Sequence, residues 1–303
     1  MARRITLGTA LAILALALSL PAAAAARAKP KTSYYVSLGD SYSQGYQPIG
    51  PNQADVVTKQ GFTDYLYPQA KKRVPGLKLV KLGCGGATTD SMINGTRRCI
   101  EPHPFSSTSK ATSQLTYASK FIRKHRGHVA LVTVSIGGND FDSCTGDLTA
   151  ITSCVTAGIA RMKANLPVIA RALRSAAGSR TIIVGSTYPD VVLGGWVGGP
   201  GLGQQLAQAS VAVFQQQVNP AMRSAYGNQK IGFVDATAGF GGYIPFTQTT
   251  TLAPFGTIPV SVANICNLAW YCVTRPGGPD LHLRASGYKK MASLYLTEIR
   301  KRL

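Results

Sequence analysis

The chain has 303 residues, 45% of them apolar, and a formal net charge of +20. That length and apolar content suit one large domain with a substantial core and leave little room for a second. The positive balance favours encounter with anionic surfaces such as phospholipid or acidic cell-wall polymers, in a salt-dependent way. Nucleic acid is disfavoured as a partner, because no binding module is recognisable and the basic runs carry no interleaved aromatics.

The first residues read as an export signal. Met1-Ala2-Arg3-Arg4 is a basic start, Ile5 to Leu20 is an apolar run too short and too rich in small residues for a membrane span, and Pro21 to Ala26 offers Ala-x-Ala cleavage sites. The expectation is a secretory signal peptide over residues 1–26 and a single mature domain over 27–303, secreted and extracellular; an uncleaved N-terminal anchor is the competing reading. No later segment is long and apolar enough to span a bilayer.

Five apolar, β-branched-rich runs at 34–38, 77–82, 129–136, 181–186 and 231–235 predict strands. Helical patterns at 63–73, 113–124, 148–177, 203–226 and 286–303 lie between and after them. That alternation implies a parallel sheet covered on both faces. In the last helix Tyr288, Met291, Tyr295 and Ile299 recur every three or four residues and should face the sheet, with Lys289, Lys290, Arg300 and Arg302 off the stripe.

Two segments break the alternation. The glycine-rich stretch 194–203 is expected to be a flexible surface loop; it lacks the Gly-x-Gly-x-x-Gly spacing of a dinucleotide site. The stretch 236–279 is far longer than an ordinary connection. Its aromatics, among them Phe240, Phe246, Phe255, Trp270 and Tyr271, suggest an apolar wall for an acyl group, or ordinary packing of a long loop.

Six cysteines fall in three sequence-local couples: Cys84 with Cys99, Cys144 with Cys154 and Cys266 with Cys272. In an exported chain the simplest expectation is three short disulfide loops, each contributing on the order of 2–3 kcal/mol. Zinc is the competing reading, but no Cys-x-x-Cys occurs.

The chemistry concentrates at the ends of the predicted strands. Gly39-Asp40-Ser41 follows the first strand, where a serine hydroxyl faces the crevice outside the carboxyl end of a parallel sheet and its N–H joins the unpaired donors of a helix start. Taken alone, Asp40 or Ser41 reads more simply as a helix cap than as part of a catalytic turn. A nucleophilic Ser41 needs a base, an orienting group and oxyanion donors. His282, two residues after Asp280 and just before the last helix, is the best base; His103, His125 and His128 lie in a Pro-rich loop or beside a basic helix end. Residues two apart in an extended segment face the same way, so Asp280 is placed to orient the imidazole. The turns at Cys84-Gly85-Gly86-Ala87 and Gly137-Gly138-Asn139-Asp140 offer backbone N–H groups and the Asn139 amide.

These four blocks, Gly39-Asp40-Ser41-Tyr42, Cys84-Gly85-Gly86-Ala87-Thr88, Gly137-Gly138-Asn139-Asp140 and Asp280-Leu281-His282, resemble in order and reach the SGNH or GDSL-type serine esterases and lipases. The cysteine spacing is similar to that of the secreted actinobacterial branch. The resemblance implies a three-layer α/β/α sandwich on a five-stranded parallel sheet, the flavodoxin-like SGNH hydrolase fold. It also implies Ser41 as nucleophile and first oxyanion donor, the Gly86 N–H and Asn139 side chain as the other donors, and His282 as base. Much of the family places its aspartate three residues before the histidine, whereas Asp280 stands two before; where that spacing is shorter, a backbone carbonyl can orient the histidine instead. Ser43 stands where the second glycine of a Gly-x-Ser-x-Gly elbow would be, which disfavours the α/β-hydrolase fold.

The expected activity is hydrolysis of carboxylic esters, of lipids or of small acyl groups, through an acyl-enzyme and without metal or organic cofactor. An acyltransferase and a carbohydrate O-acetyl esterase would use the same residues. A non-enzymatic wall- or polyanion-binding protein is the reading of a different class. A monomer is the default state.

Overall fold

The computed structural model describes residues 31–48, 55–95, 99, 112–142, 144, 147–273 and 279–302. The signal-like segment and His103 lie outside them. From Lys31 onward the chain forms one compact unit. It opens with strand β1 (Ser33–Gly39), in which Tyr35, Val36 and Leu38 are wholly buried, as an unbroken apolar run requires when both faces of a sheet are covered. There follow the one-turn helix α1 (Ser41–Gln44), an antiparallel hairpin of β2 (Tyr46–Pro48) and β3 (Asp55–Val57), helix α2 (Phe62–Arg73), strand β4 (Leu77–Lys81) and helix α3 (Thr89–Asn94). Helix α4 (Gln114–Lys124), strand β5 (Val129–Ser135), a 3₁₀ turn at Gly138–Asp140, the long helix α5 (Leu148–Ala177) and strand β6 (Ile182–Ser186) come next.

The expected helix at 203–226 is interrupted. It comprises α6 (Leu202–Val213), a π turn at Phe214–Val218 and α7 (Asn219–Gly227). Pro220 stands at the start of α7 and has no N–H to give, so the hydrogen-bond ladder slips by one residue before it. Strand β7 (Gly232–Val234) then completes the main sheet. The remainder is α8 (Ala236–Gly239), a second hairpin of β8 (Thr249–Leu252) and β9 (Gly256–Pro259), α9 (Val260–Leu268) and α10 (Ala285–Arg300). The stretch after β7 is therefore ordered by elements of its own, with Ile258, Val262, Ala263 and Cys266 forming a separate small apolar cluster.

The parallel sheet has the order β4-β1-β5-β6-β7. The chain runs outward from β1 to β4, then returns across β1 to build β5, β6 and β7 on the other side. This reversal leaves a crevice at the carboxyl ends of β1 and β5, where open α/β sheets bind ligands. Helix α2 packs on α10, and α5 packs on α4 and α7, giving the three-layer α/β/α arrangement. In α10 Tyr288, Met291 and Tyr295 are wholly buried and Ile299 nearly so, as the stripe predicts.

The first half of the glycine-rich stretch differs from expectation, while residues 199–201 form the expected surface turn. Val191–Gly198 is a 3₁₀ segment with Leu193 buried and the Trp196 ring stacked on Phe246, centroids 4.9 Å apart. A side chain at Gly194 would strike Tyr271, so the glycine is there to admit a neighbour and not to loosen the chain. The three cysteine couples are bonded as Cys84–Cys99, Cys144–Cys154 and Cys266–Cys272, with Cα separations of 5.1, 5.6 and 5.1 Å. Among the described residues no helix is long and apolar enough to cross a membrane.

Candidate active site

The end of β1 is fixed before any chemistry is considered. A Cβ at Gly39 would lie 2.0 Å from the Ser135 carbonyl oxygen, and φ is +134°, so only glycine lets β1 close on β5 here. The buried Gln114 side chain clasps the same residue, accepting from Gly39 N and donating to Gly39 O, both at 2.9 Å. Asp40 then caps α1 by accepting from Tyr42 N at 3.0 Å. Ser41 is the first residue of that helix and is buried at the head of the crevice. The helix has one turn and ends at Gly45 in the left-handed region, so its macrodipole is small. The N–H groups at its start, and not the dipole of a long helix, are what it offers a negative charge.

Two more turns converge on this one. Gly83 has no room for a side chain, because a Cβ would lie 1.8 Å from Ser43 Oγ, and Gly86 holds φ at +68°. Asn139 Nδ2 donates to Ala87 O at 3.0 Å and reaches Asp40 Oδ2 at 3.5 Å, so its amide lies between the Gly86-Ala87 turn and the Asp40-Ser41 turn. Asp140 secures the pair of turns by accepting from Thr89 N at 2.8 Å and Thr89 Oγ1 at 2.6 Å.

The histidine segment is tied to the serine helix directly: Tyr42 Oη donates to Leu281 O at 2.6 Å. The Tyr42 and Tyr46 rings lie 6.0 and 5.8 Å from the imidazole of His282. Asp280 Oδ1 accepts from His282 N at 2.7 Å and lies 3.1 Å from Nδ1, so at this spacing of two the carboxylate itself reaches the ring. A second carboxylate is present as well. Asp55 Oδ2 on β3 stands 3.0 Å from the same nitrogen. Ser41, Gly86, Asn139, Asp280 and His282 are thus gathered on one rim of the sheet.

Charge in the site follows from burial and proximity. Burial pulls the His282 pKa down, but Asp280 and Asp55 outweigh it and hold the imidazolium up to about 9. Burial raises Asp280, yet its contacts with His282 and Asp55 leave it well below the usual carboxylate range. Burial lifts Asp40 to about 7, against hydrogen bonds from Tyr188 Oη and Tyr42 N. Asp142, in the crevice near His282, is lifted to about 6 by burial.

Beside these residues lies a cavity of about 380 Å³, within the ~300–1,000 Å³ of ordinary ligand pockets. It is mostly apolar. One wall is the face of α5 carrying Leu148, Ile151, Val155 and Ile159, and the opposite wall comes from the Val191–Gly198 segment and α6. Tyr42, Gly138 and Leu281 line it too, each adjacent in sequence to Ser41, Asn139 or His282. The stretch 236–279, expected to supply an acyl wall, contributes only Tyr271 among the described residues. It spends its other aromatics on packing, as Phe246 does on Trp196.

Sequence reasoning missed Asp55, Gln114, Tyr188 and the cavity wall. Asp55 sits in a polar stretch far from His282 in sequence, and no local pattern marks it. The wall on α5 was visible as a helical stripe but reads as core packing. Asp55, Asp280 and His282 form the one group of described residues whose donor atoms lie close enough to hold a metal ion, within 4.8 Å of one another. Nothing besides proximity points to a metal there.

A model of the GDSL-like Lipase/Acylhydrolase family matches residues 37–290. No curated protein matches the chain. Among solved structures, the chain is similar to an extracellular lipase from Streptomyces rimosus, with a TM-score of 0.54 at 18% identity over 88% of this chain and 100% of the other. It is also similar to an acetylxylan esterase from Geobacillus stearothermophilus, with a TM-score of 0.49 at 16% identity over 89% of this chain and 95% of the other. At 18% identity the likeness to the lipase concerns the fold.

Proposed function

Because the chain belongs to the GDSL-like lipase and acylhydrolase family, we propose that it hydrolyses carboxylic esters of medium or long acyl chains through an acyl-enzyme on Ser41. Ser41 Oγ attacks the ester carbonyl while His282 takes its proton through the ring nitrogen that does not face the carboxylates. The N–H groups of Ser41 and Gly86 and the Asn139 amide receive the oxyanion. The long 3.5 Å contact from Asn139 to Asp40 is the one that the oxyanion replaces. His282 then protonates the leaving alcohol and, after it departs, deprotonates the water that releases the acid.

The observation that carries this reading is the apolar cavity whose lining residues Tyr42, Gly138 and Leu281 adjoin Ser41, Asn139 and His282 in the chain. An acetyl group would leave most of that space empty, which favours a lipid-like acyl group over a carbohydrate acetyl ester. Ser41→Ala is expected to abolish hydrolysis of p-nitrophenyl octanoate with the circular dichroism spectrum unchanged. Activity retained in that variant sinks the assignment.

The signal-like residues 1–26 and the three disulfides support export, and the cysteine spacing supports a place in the secreted actinobacterial branch. The net charge of +20 supports approach to an anionic phospholipid or cell-wall surface.

A further inference from the structure

We propose that Asp55 is a second positioning carboxylate for His282, so that the Nδ1 proton is held in a clamp between a local acid, Asp280, and a remote one, Asp55. The proposal rests on the reading of His282 as the general base. Nδ1 carries a single proton, and two carboxylate oxygens lie at nearly equal distance from it, 3.0 Å to Asp55 and 3.1 Å to Asp280. The two acids are not equivalent. Asp280 Oδ1 accepts from His282 N at 2.7 Å, a shorter contact than the one to the ring, so part of its task is to shape its own turn. Asp55 bears on the ring from another element.

That element is built to hold still. The hairpin of β2 and β3 pairs Tyr46 with Val57, Gln47 with Val56 and Pro48 with Asp55. Tyr46 O accepts from the buried Tyr288 Oη at 2.7 Å, which anchors the hairpin to α10. At its base Thr58 donates to Gly45 O through both N and Oγ1, at 3.2 and 2.8 Å, while the Gly45 and Gly61 backbones pack too closely for any side chain. Aspartate is depleted in strands. Beside Val56 and Val57 its placement is explained by the imidazole it reaches and not by strand propensity.

A clamp of two acids has a cost and a benefit. It fixes ring orientation from two directions, and it stabilises the imidazolium, which at about 9 leaves roughly one histidine in a hundred neutral at pH 7. Asp40 and Asp142 also face His282 from the ends of β1 and β5, and the Tyr42 and Tyr46 rings flank it. Removing Asp55 should therefore lower the basicity of the ring while leaving Asp280 to orient it. Removing Asp280 should leave Asp55 in the same office.

The test compares Asp55→Asn, Asp55→Glu, Asp280→Asn and the double Asn variant in the full chain. The first readout needs no esterase activity: the His282 Hε1 proton is titrated by NMR in a Ser41→Ala background. Asp55→Asn should lower the titration midpoint by about 1–2 units, and Asp55→Glu should restore most of it. The second readout is the pH profile of kcat/KM. Asp55→Asn should shift the acid limb downward, and the double variant should lose about 10⁴-fold, as when a triad acid is removed, well beyond the product of the two single losses. An unmoved His282 midpoint in Asp55→Asn overturns the clamp, as does the full 10⁴-fold loss in Asp280→Asn alone. Should Asp280→Asn fail to fold, the Asp55→Asn titration decides by itself. A shifted midpoint in a protein whose Ser41→Ala variant keeps esterase activity would refute the proposed mechanism and leave the clamp standing.

Discussion

Replacing Val155 by tryptophan tests whether the cavity receives the acyl chain. Val155 stands on the α5 face with Leu148, Ile151, Thr152 and Ile159, at helical spacings of three and four, and all five line the cavity. Each methylene moved from water to an apolar wall gains about 0.8 kcal/mol, which is about fourfold in kcat/KM. A cavity of about 380 Å³ lies near the lower end of the ~300–1,000 Å³ of ordinary ligand pockets, room for one acyl chain of medium length. In a p-nitrophenyl ester series from acetyl to palmitoyl, below the critical micelle concentration, kcat/KM should climb about fourfold per methylene and level off near that length. An indole at position 155 fills the space of several methylenes. The optimum in Val155→Trp should move to shorter chains by about three carbons, with the acetyl ester changed less than about twofold. An acetyl ester as the best wild-type substrate would refute the reasoning, and so would an unmoved optimum in Val155→Trp.

Two further outcomes follow from the electrostatics of the site. In the proposed mechanism the neutral imidazole is the base, so the wild-type acid limb of kcat/KM should lie near pH 9, rising about tenfold per pH unit below it; a profile already flat at pH 7 would refute the charge assignment. Stability should run the other way. His282 is raised above its unfolded value of 6.5, so its stabilisation is complete below pH 6.5 and lost as pH rises through about 9. Asp40, raised from 3.8 to about 7, withdraws stability over that lower interval, so the Tm should be higher at pH 6 than at pH 9 by differential scanning calorimetry. Asn139→Ala should cut kcat by about 10²–10³-fold with little change in KM, the pattern expected of a donor that acts on the transition state.

The parts of the fold visible in the sequence are those with a repeating pattern. Tyr35 to Leu38 and Val129 to Ile136 are apolar runs long enough to mark central strands, and Tyr288, Met291, Tyr295 and Ile299 mark the inward stripe of the last helix. The hairpins at Tyr46–Val57 and Thr249–Pro259 have strands of three or four residues, several of them exposed, so no alternation develops. Glycine content misled at Gly194, where the missing side chain makes room for Tyr271 and the backbone stays helical. The candidate site was legible wherever turn chemistry and reactive side chains coincide, as at Ser41, Gly86, Asn139 and His282, which the fold brings to one rim. Asp55 could not be read, because its relation to His282 exists only after α10 and the first hairpin have packed together.

The disulfides bear on how this protein fails as well as on how it folds. None of them crosses the sheet. Cys84 immediately precedes the turn that presents Gly86, Cys144 lines the cavity while its partner Cys154 neighbours Val155 on α5, and Cys272 lies against Gly194 beside Tyr271. The covalent staples therefore gather around the rim, and the five strands of the main sheet are held by their hydrogen-bond ladders and by packing. A thiol reductant would then loosen the candidate oxyanion turn and the cavity first, and because each staple contributes on the order of 2–3 kcal/mol, loss of all three would draw heavily on the ~5–15 kcal/mol that holds such a domain folded. Activity lost at a lower reductant concentration than the far-ultraviolet circular dichroism signal would be the signature of a rim that gives way first.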